Sequence, residues 1–335
     1  MATRVAINGF GRIGRTIFRA AKLKKSDIEF VAINDRADAF SLSTVLKYDS
    51  IHGIYDGEIS YDEDGIIVDG IKIPVYSLKE EDGNLPWGDL GVDVVVESTG
   101  ITRTREFLNI HIDSGAKKVL LTTPSEDSVD ATVVFGVNHD ILTGEEKIVL
   151  NASGTTNSAA VLAKVMEDNF VIKEGFITTV HAYTLDQSLL DYPHEDMRRA
   201  RSAALSIIPT TTWAVQTVEQ IIPRLRGKLD GIAYRVPVPA GSIVDLSLDL
   251  ATDVTVDDIH DAMKNAAEGY MKDVLKYENS PLVSADIVGD IASVIYDAPL
   301  TKVLKPDFVK IIGWFDNESG YCNRAVDLIN LLSSF

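Results

Sequence analysis

A glycine pattern near the N-terminus has the spacing of a phosphate-binding turn. Gly9, Gly11 and Gly14 form a G-x-G-x-x-G sequence that follows an apolar run and precedes a helical pattern. Glycines at these positions permit a tight turn, close approach to a pyrophosphate and close packing of helix on strand. Asp35 follows the next apolar run about 20 residues later, where a carboxylate binds the ribose diol of NAD and repels a 2′-phosphate. We therefore predict a dinucleotide site that favours NAD over NADP, a preference that the adjacent Arg36 weakens.

A second group of reactive side chains lies beyond residue 150. His181 follows an apolar strand-like run, so its imidazole can face a cleft, and an ordinary pKa near 6.5 suits acid–base work at neutral pH. A lone histidine is more often simply packed or exposed. The basic run Arg198 to Arg201 can bind phosphate oxygens, or it can form a solvated helix face. The single cysteine, Cys322, excludes an intramolecular disulfide and a cysteine-based metal site.

The order of apolar runs predicts the elements that position these groups. Up to residue 150, strand-like runs alternate with helices, which predicts a doubly wound parallel sheet of the Rossmann type. Beyond it, longer strands and helices predict an α+β domain with a mostly antiparallel sheet. The expected helices are residues 13–24, 103–114, 202–223, 256–277 and 324–332. The expected domains are 1–150 for NAD, 151–316 for catalysis, and 317–335 as a C-terminal helix that returns to the NAD-binding domain.

Composition limits the partners that this chain can have. Its formal net charge is −18, which disfavours non-specific attraction to nucleic acid and to anionic lipid. No apolar run approaches the roughly 18 residues that a membrane span needs, and no signal-like segment opens the chain. We expect a cytoplasmic protein with small-molecule partners and no metal.

Segments along the whole chain resemble the phosphorylating glyceraldehyde-3-phosphate dehydrogenase family, in order and at the family's spacing. They are residues 7–15, 47–53, 95–100, 151–157, 178–184, 198–201, 235–237, 314–318 and 320–321. That family oxidises an aldehyde by thiol addition, passes hydride to NAD and lets inorganic phosphate cleave the thioester. The resemblance implies a homotetramer, with residues 183–202 forming a loop between subunits. It also implies a reactive nicotinamide ring near His181 and Asn317.

The resemblance implies a role for each matching residue. His181 is the implied base that acts on thiol and aldehyde, and Arg235 and Thr184 are the implied ligands of the substrate phosphate. The implied ligands of the attacking inorganic phosphate are Ser153, Thr155, Arg199 and Thr212. The implied contacts to NAD are Gly9, Gly11, Arg12, Ile13, Gly14, Asp35, Thr99 and Thr122, with Asn317 and Tyr321 holding the nicotinamide.

Glycine stands at position 154, where the family has its catalytic cysteine. Three explanations remain open: a substitution introduced to stop turnover, a naturally inactive relative, or altered chemistry such as slow oxidation of the aldehyde hydrate. Trp213 replaces the glycine that usually follows Thr212, which puts the inorganic-phosphate pocket in doubt. Ala240-Gly241 is a second departure, from a usual Asn-Val. We interpret Cys322 as a small packed thiol, because adjacent helix residues such as Tyr321 and Cys322 point about 100° apart.

These departures leave three rivals to a glyceraldehyde 3-phosphate dehydrogenase. One is an enzyme that oxidises erythrose 4-phosphate without phosphate as acceptor, which Trp213 makes worth testing. Another is an NAD-binding or regulatory protein that does no chemistry. The semialdehyde and acyl-phosphate reductases share the two-domain plan and the cysteine chemistry, but the segments around Arg12-Ile13 and His181 match them poorly.

Overall fold

The computed structural model describes residues 2–79, 83–101 and 103–335 and divides the chain into two compact units. The first unit contains residues up to 133, residues 139–152 and the C-terminal segment 322–335, and the second contains residues 134–138 and 153–321. Within the described ranges, no helix is long and apolar enough to cross a membrane, and no cluster of acidic, histidine or cysteine side chains could hold a metal ion.

The first unit consists of a nine-stranded sheet with three helices from the same part of the chain. The helices are α1 (Arg12–Leu23), α2 (Ala39–Lys47) and α3 (Arg105–Asp113). The strands are β1 (Thr3–Asn8), β2 (Ile28–Asn34), β3 (Tyr48–Asp49), β4 (Gly53–Ile54), β5 (Ile59–Tyr61), β6 (Gly65–Val68), β7 (Ile71–Tyr76), β8 (Val94–Glu97), β9 (Lys118–Leu121), β10 (Ala131–Val133) and β11 (Ile148–Asn151), of which β3 and β4 form a separate ribbon.

The sheet order places the glycine turn at a topological switch point. The order is β10-β11-β9-β8-β1-β2-β7-β6-β5, parallel from β10 to β7 and antiparallel from β7 to β5. The chain runs outwards from β1 through β2 on one side and later returns to place β8 on the other. In open sheets of this kind, ligands bind outside the carboxyl ends of the strands at the point where the order reverses. The predicted doubly wound sheet is therefore confirmed, with an added antiparallel edge.

A buried carboxylate joins the carboxyl ends of β1 and β8. Glu97 has no solvent exposure and accepts four hydrogen bonds, from Asn8, from the amide and hydroxyl of Thr99, and from His111. Trp87 Nε1 donates to His111 Nδ1 at 3.0 Å, and an indole can only donate. His111 therefore carries its proton on Nε2, which donates to Glu97, so neutral donors satisfy the buried charge. This network fixes the two strand ends that flank the glycine turn.

The second unit is formed around a second sheet of eight strands. Its strands are β12 (Ile172–Ala182), β13 (Ile208–Thr210), β14 (Leu229–Val236), β15 (Ser242–Leu250), β16 (Leu275–Glu278), β17 (Val294–Asp297), β18 (Lys302–Lys305) and β19 (Phe308–Phe315). Its helices are α4 (Gly154–Phe170), α5 (Ala214–Ile221) and α6 (Val256–Glu268), while α7 (Ser319–Ser333) begins here and continues into the first unit.

The second sheet is mostly antiparallel, as predicted. Its order is β13-β14-β12-β15-β19-β17-β16, with β18 paired to β19, and only the β12–β14 and β16–β17 pairs are parallel. Helix α4 packs on β12, β15, β17 and β19. Most of its residues are buried, and the small side chains Ala159, Ala160 and Ala163 allow this close packing. Ser153 caps the helix by accepting a hydrogen bond from the Thr156 amide.

Two predicted helices of the second unit are wrong in extent. The expected helix 202–223 contains the strand β13, because Pro209 lacks the amide proton that a helix interior needs, and only α5 is helical. The expected helix 256–277 ends at Glu268, before Gly269, and β16 follows. The run Arg198 to Arg201 lies in turns, so it is not a helix face. Helices 13–24, 103–114 and 324–332 are confirmed within a few residues.

Replacement of Trp87 by phenylalanine should destabilise the first unit by about 2–4 kcal/mol. The change removes the donor to the buried His111 Nδ1 and leaves space where the indole fitted. Urea unfolding together with amide hydrogen exchange of β1 and β8 measures the effect. Trp213→Phe is the matched control, because Trp213 is 76% exposed and the same change there should cost less than about 0.5 kcal/mol. Equal effects of the two substitutions would contradict this account of the network.

Candidate active site

The glycine turn leaves an open approach to the start of α1. Gly9 has φ +89°, and a Cβ there would lie 2.6 Å from the Thr99 amide, so only glycine fits. A Cβ on Gly14 would lie 2.4 Å from the Gly9 carbonyl. At Gly11, by contrast, an added Cβ would meet nothing within 4 Å. The space beside the Gly11 Cα is therefore open where a pyrophosphate would approach the positive end of a 12-residue helix.

Asp35 and Arg12 lie beside this turn, each in contact with another residue. Asp35 accepts hydrogen bonds from the amides of Phe10 (2.7 Å) and Ala37 (2.9 Å), which holds its carboxylate against the turn with lone pairs to spare for a diol. Arg12 pairs with Asp49 at 3.3 Å. Burial raises the pKa of Asp49, but the amides of His52 and Ile51 and the Arg12 charge outweigh it and keep that pKa below its usual value. These residues fit an adenine dinucleotide, because the Gly11 Cα is unobstructed and the Asp35 carboxylate lies where the ribose of a dinucleotide would bind.

Gly154 is the first residue of α4, and nothing in the backbone requires a glycine there. Its φ is not positive, and an ideal Cβ would lie 3.4 Å from the Asn317 carbonyl oxygen, 3.8 Å from Phe315 Cε2 and 3.8 Å from Tyr321 Cβ. These are ordinary van der Waals distances. A side chain at position 154 therefore fits without displacing its neighbours, and it would lie at the positive end of a 17-residue helix.

His181 and Arg235 are neighbours on the parallel pair β12 and β14. Arg235 Nη1 donates to the Ala182 carbonyl at 3.1 Å and to Thr184 Oγ1 at 2.8 Å, so the arginine, the histidine and the threonine form one cluster. His181 also packs edge-on against Phe315, with ring centroids 5.8 Å apart. The Phe315 ring therefore contacts His181 and also lies beside the position that a side chain at residue 154 would occupy.

The hydrogen bonds of His181 leave one ring nitrogen available as a base. Nδ1 lies 2.6 Å from the Ala182 carbonyl, an acceptor that requires the proton to be on Nδ1. Nδ1 is also 3.1 Å from Arg235 Nη1, but a protonated Nδ1 accepts no hydrogen bond, so Arg235 bonds the carbonyl and Thr184 instead. Within the described ranges Nε2 makes no hydrogen bond. Burial and the Arg235 charge lower the pKa of His181 to about 4, so Nε2 keeps its lone pair at neutral pH.

Arg199 makes no direct contact with His181 or Arg235 in the described ranges, and its partners are a threonine and two carboxylates. Its Nε donates to Thr210 Oγ1 at 2.8 Å, its Nη1 donates to Asp186 at 3.1 Å, and Asp196 lies 3.6 Å away. Thr210 is thus the hydroxyl that contacts Arg199, whereas Thr212 Oγ1 accepts from the Ala214 amide at the start of α5.

The structure brings some of the predicted site residues into contact and leaves others apart. The structure brings His181, Arg235 and Thr184 into direct contact, and it brings Asn317 and Tyr321 to Gly154. Ser153 is exposed, Thr155 is buried, and Trp213 projects from the start of α5 with 76% exposure. Thr122 bonds the Glu97 carbonyl, and the buried Cys322 lies against the Ile13 carbonyl.

Sequence reasoning missed Asp186, Thr210 and Phe315. Asp186 is two residues from Thr184, which is a usable signal, but no spacing rule assigns its arginine partner. Thr210 and Phe315 lie on strands, and only the sheet register shows which face they share with the site.

The first unit has a doubly wound sheet with a glycine turn, which is typical of dinucleotide-binding domains, and the second unit holds an imidazole beside an arginine. Residues 3–105 match the family model described as glyceraldehyde 3-phosphate dehydrogenase, NAD binding domain, and residues 153–317 match the one described as its C-terminal domain. The chain belongs to the glyceraldehyde-3-phosphate dehydrogenase family, and NAD is its cofactor.

Proteins with the same name are similar to this chain over nearly their full length. The chain is 50% identical to proteins named glyceraldehyde-3-phosphate dehydrogenase from Mycolicibacterium smegmatis and Mycobacterium tuberculosis, over 99% of both chains in each case. It is 51% identical to the protein of the same name from Streptomyces coelicolor, over 98% of both chains.

His181 should titrate near pH 4, well below an ordinary histidine, and Arg235→Gln should raise its pKa. The substitution removes a positive charge while burial remains, so the new pKa should lie between about 4 and 6.5. As the pH falls through that window, the unfolded chain binds a proton that the folded chain does not, so His181 lowers stability there. Histidine ring NMR, assigned with His181→Asn, measures both values. Titration of the parent protein near pH 6.5 would contradict the geometry.

Proposed function

We propose that this scaffold serves the NAD-dependent, phosphorylating oxidation of glyceraldehyde 3-phosphate to 1,3-bisphosphoglycerate in glycolysis, and that Gly154 disables the chain as it stands. The proposed reaction implies a cytoplasmic location. Glyceraldehyde 3-phosphate and inorganic phosphate are then the small-molecule partners.

Arg235 is the observation that carries this proposal. Its guanidinium is half-buried, yet it forms hydrogen bonds through Nη1 alone, and no carboxylate lies within 4 Å of it in the described ranges. A half-buried arginine is normally paired, so N–H donors without a carboxylate partner beside a neutral imidazole favour an anionic ligand with a reacting group near His181. A phosphorylated aldehyde has both features.

Each side chain then has a defined task. Arg235 and Thr184 hold the substrate phosphate. His181 Nε2 accepts the proton of the nucleophile, returns it to the aldehyde oxygen as the adduct forms, and accepts it again when the adduct is oxidised. Arg199 and Ser153, with Thr155 and Thr212, orient inorganic phosphate for attack. Asn317 has a buried Oδ1 without a donor among the described residues, which suits it to accept from the carboxamide of the nicotinamide. NAD supplies the hydride acceptor, and residues Gly9 to Gly14, Asp35, Thr99 and Thr122 bind it.

The first step of this reaction needs a nucleophile that glycine does not provide. A thiol at position 154 would lie at a helix N-terminus, which lowers a thiol pKa, and near the Phe315 ring that also packs on His181. Without it, no covalent adduct forms, and direct oxidation of the aldehyde hydrate would be slow.

Two alternative functions are each suggested by one residue that departs from the family pattern. A non-catalytic NAD-binding protein fits Gly154 itself. An enzyme that oxidises erythrose 4-phosphate to an acid, without phosphate as acceptor, is the alternative suggested by Trp213, which follows Thr212 where the family usually has glycine.

Gly154→Cys should produce NADH from glyceraldehyde 3-phosphate at a rate several powers of ten above the parent protein, because it supplies the nucleophile in a space that already accommodates a Cβ. The rate should require inorganic phosphate. Absorbance at the NADH band, with and without phosphate and with each aldehyde, measures it.

Gly154→Ala is the matched control, since it adds the Cβ without the thiol and should stay inactive. Adding His181→Asn to Gly154→Cys should remove most of the gain. A Gly154→Cys protein that binds NAD but remains inert would favour the regulatory alternative, and activity with erythrose 4-phosphate that ignores phosphate would favour the other enzyme.

We further propose a homotetramer. The support is an apolar surface on the segment 183–213, in which Leu185, Leu189, Leu190, Tyr192, Met197, Leu205 and Ile207 are each 68–86% exposed in a single chain. Such a large apolar patch usually marks an interface. Light scattering after gel filtration should give the mass of four chains. Leu189→Asp with Leu190→Asp should give a smaller species, and a monomeric parent protein would refute the assembly.

A further inference from the structure

A hydrogen-bonded chain joins the two arginines of the proposed phosphate sites through a carboxylate. Arg235 Nη1 donates a hydrogen bond to Thr184 Oγ1 at 2.8 Å. The Thr184 hydroxyl in turn donates a hydrogen bond to Asp186 Oδ1. The other oxygen of Asp186 accepts from Arg199 Nη1 at 3.1 Å. One carboxylate therefore bonds with residues from both proposed phosphate sites.

These contacts leave Thr184 and Arg199 with fewer donors for a ligand. A hydroxyl has one proton, and while Thr184 donates it to Asp186 that proton is not available to a phosphate oxygen. The Arg199 Nη1 proton is used in the same way. Asp186 also places a negative charge between two guanidinium groups that would otherwise present two positive charges to an anion.

The surroundings of Asp186 keep it ionised. Burial raises the pKa of Asp186, but the Thr184 hydroxyl and the charges of Arg235 and Arg199 outweigh this and leave it below its usual value. His181 is neutral at the same pH, and Asp196 faces Arg199 from the other side. Among the described residues, the charged groups around Asp186 are thus two arginines and one further carboxylate.

We propose that Asp186 is a built-in counter-anion of the phosphate-binding residues, whose carboxylate an incoming phosphate group must displace from Thr184 and Arg199. The proposal rests on the proposed function, because it takes Arg235 and Thr184 as anion ligands. Asp186 then sets how tightly these sites hold an anion and favours its release. Its side chain is 42% exposed, so it has solvent to turn into when it is displaced.

Asp186→Asn should tighten anion binding by about three- to tenfold. Asparagine keeps the shape and one acceptor oxygen but removes the charge, and a single charge at a partly exposed site has an effect of this size. Inorganic sulfate is the probe, because its charge is constant between pH 6 and 8, and titration calorimetry of the full-length protein gives the affinity. Glycerol 3-phosphate tests the same change with a phosphate ester.

The matched control is Asp191→Asn, which removes a carboxylate that pairs with Arg201 at 3.1 Å in the same segment. It should change sulfate affinity by less than twofold. The gain from Asp186→Asn should also vanish when Arg235→Gln is added, which ties it to this site. Asp186→Ser is a second variant that keeps the experiment decisive if the asparagine protein does not fold.

Unchanged or weaker sulfate binding in the folded Asp186 variants would overturn the proposal, because it would mean that Asp186 orients the donors instead of competing for them. That result is distinct from failure of the proposed function. If Arg235→Gln alone leaves sulfate binding unchanged, Arg235 is not an anion ligand and both ideas fail.

Discussion

The register between β12 and β14 is the constraint on which the candidate site depends. Gly231 pairs with Ile177 in this register, and a Cβ at position 231 would lie 2.2 Å from the Ile177 carbonyl oxygen. Only glycine permits this approach, and four residues further along each strand the same register sets Arg235 beside His181. A shift of one residue in either strand would send the side chains of that strand to the opposite face and separate Arg235 from His181. The close contact at one end of the strand pair thus fixes the chemistry at the other.

Local charge, and not the charge of the whole chain, determines what the site can bind. A net charge of −18 repels phosphorylated ligands at long range, and salt screens this repulsion over about 8 Å at physiological ionic strength. At short range, Arg235 presents donors that no carboxylate engages in the described ranges, while Arg199 contacts both Asp186 and Asp196. The two arginines therefore differ: the donors of Arg235 are not paired with a carboxylate, whereas Arg199 would have to give up a carboxylate partner to bind a phosphate group. The sequence alone does not show that Arg235 and Arg199 differ in their carboxylate partners.

The sequence predicted what local patterns encode and failed where distant residues decide. The glycine spacing before α1 and the alternation of strands and helices predicted the first sheet, because those signals depend on residues close together in the chain. The expected helix 202–223 was wrong, since pairing of β13 with β14 and the missing amide proton of Pro209 outweigh the apolar periodicity there. The network around Glu97 was not foreseen, because Asn8 on β1 and His111 on α3 reach Glu97 only in the folded protein.

The glycines of this chain also differ in whether the backbone requires them. Gly9 and Gly14 are required by a positive φ or by a backbone atom within 2.4–2.6 Å of an added Cβ, and Gly231 by a carbonyl. Gly154 meets none of these conditions, and in a helix it is less favourable than alanine by up to about 1 kcal/mol. The fold therefore gains nothing from glycine at this position, and its neighbours Asn317, Phe315 and Tyr321 keep the distances that a side chain would need. Under the proposed function, what distinguishes residue 154 is therefore the nucleophile that glycine does not provide.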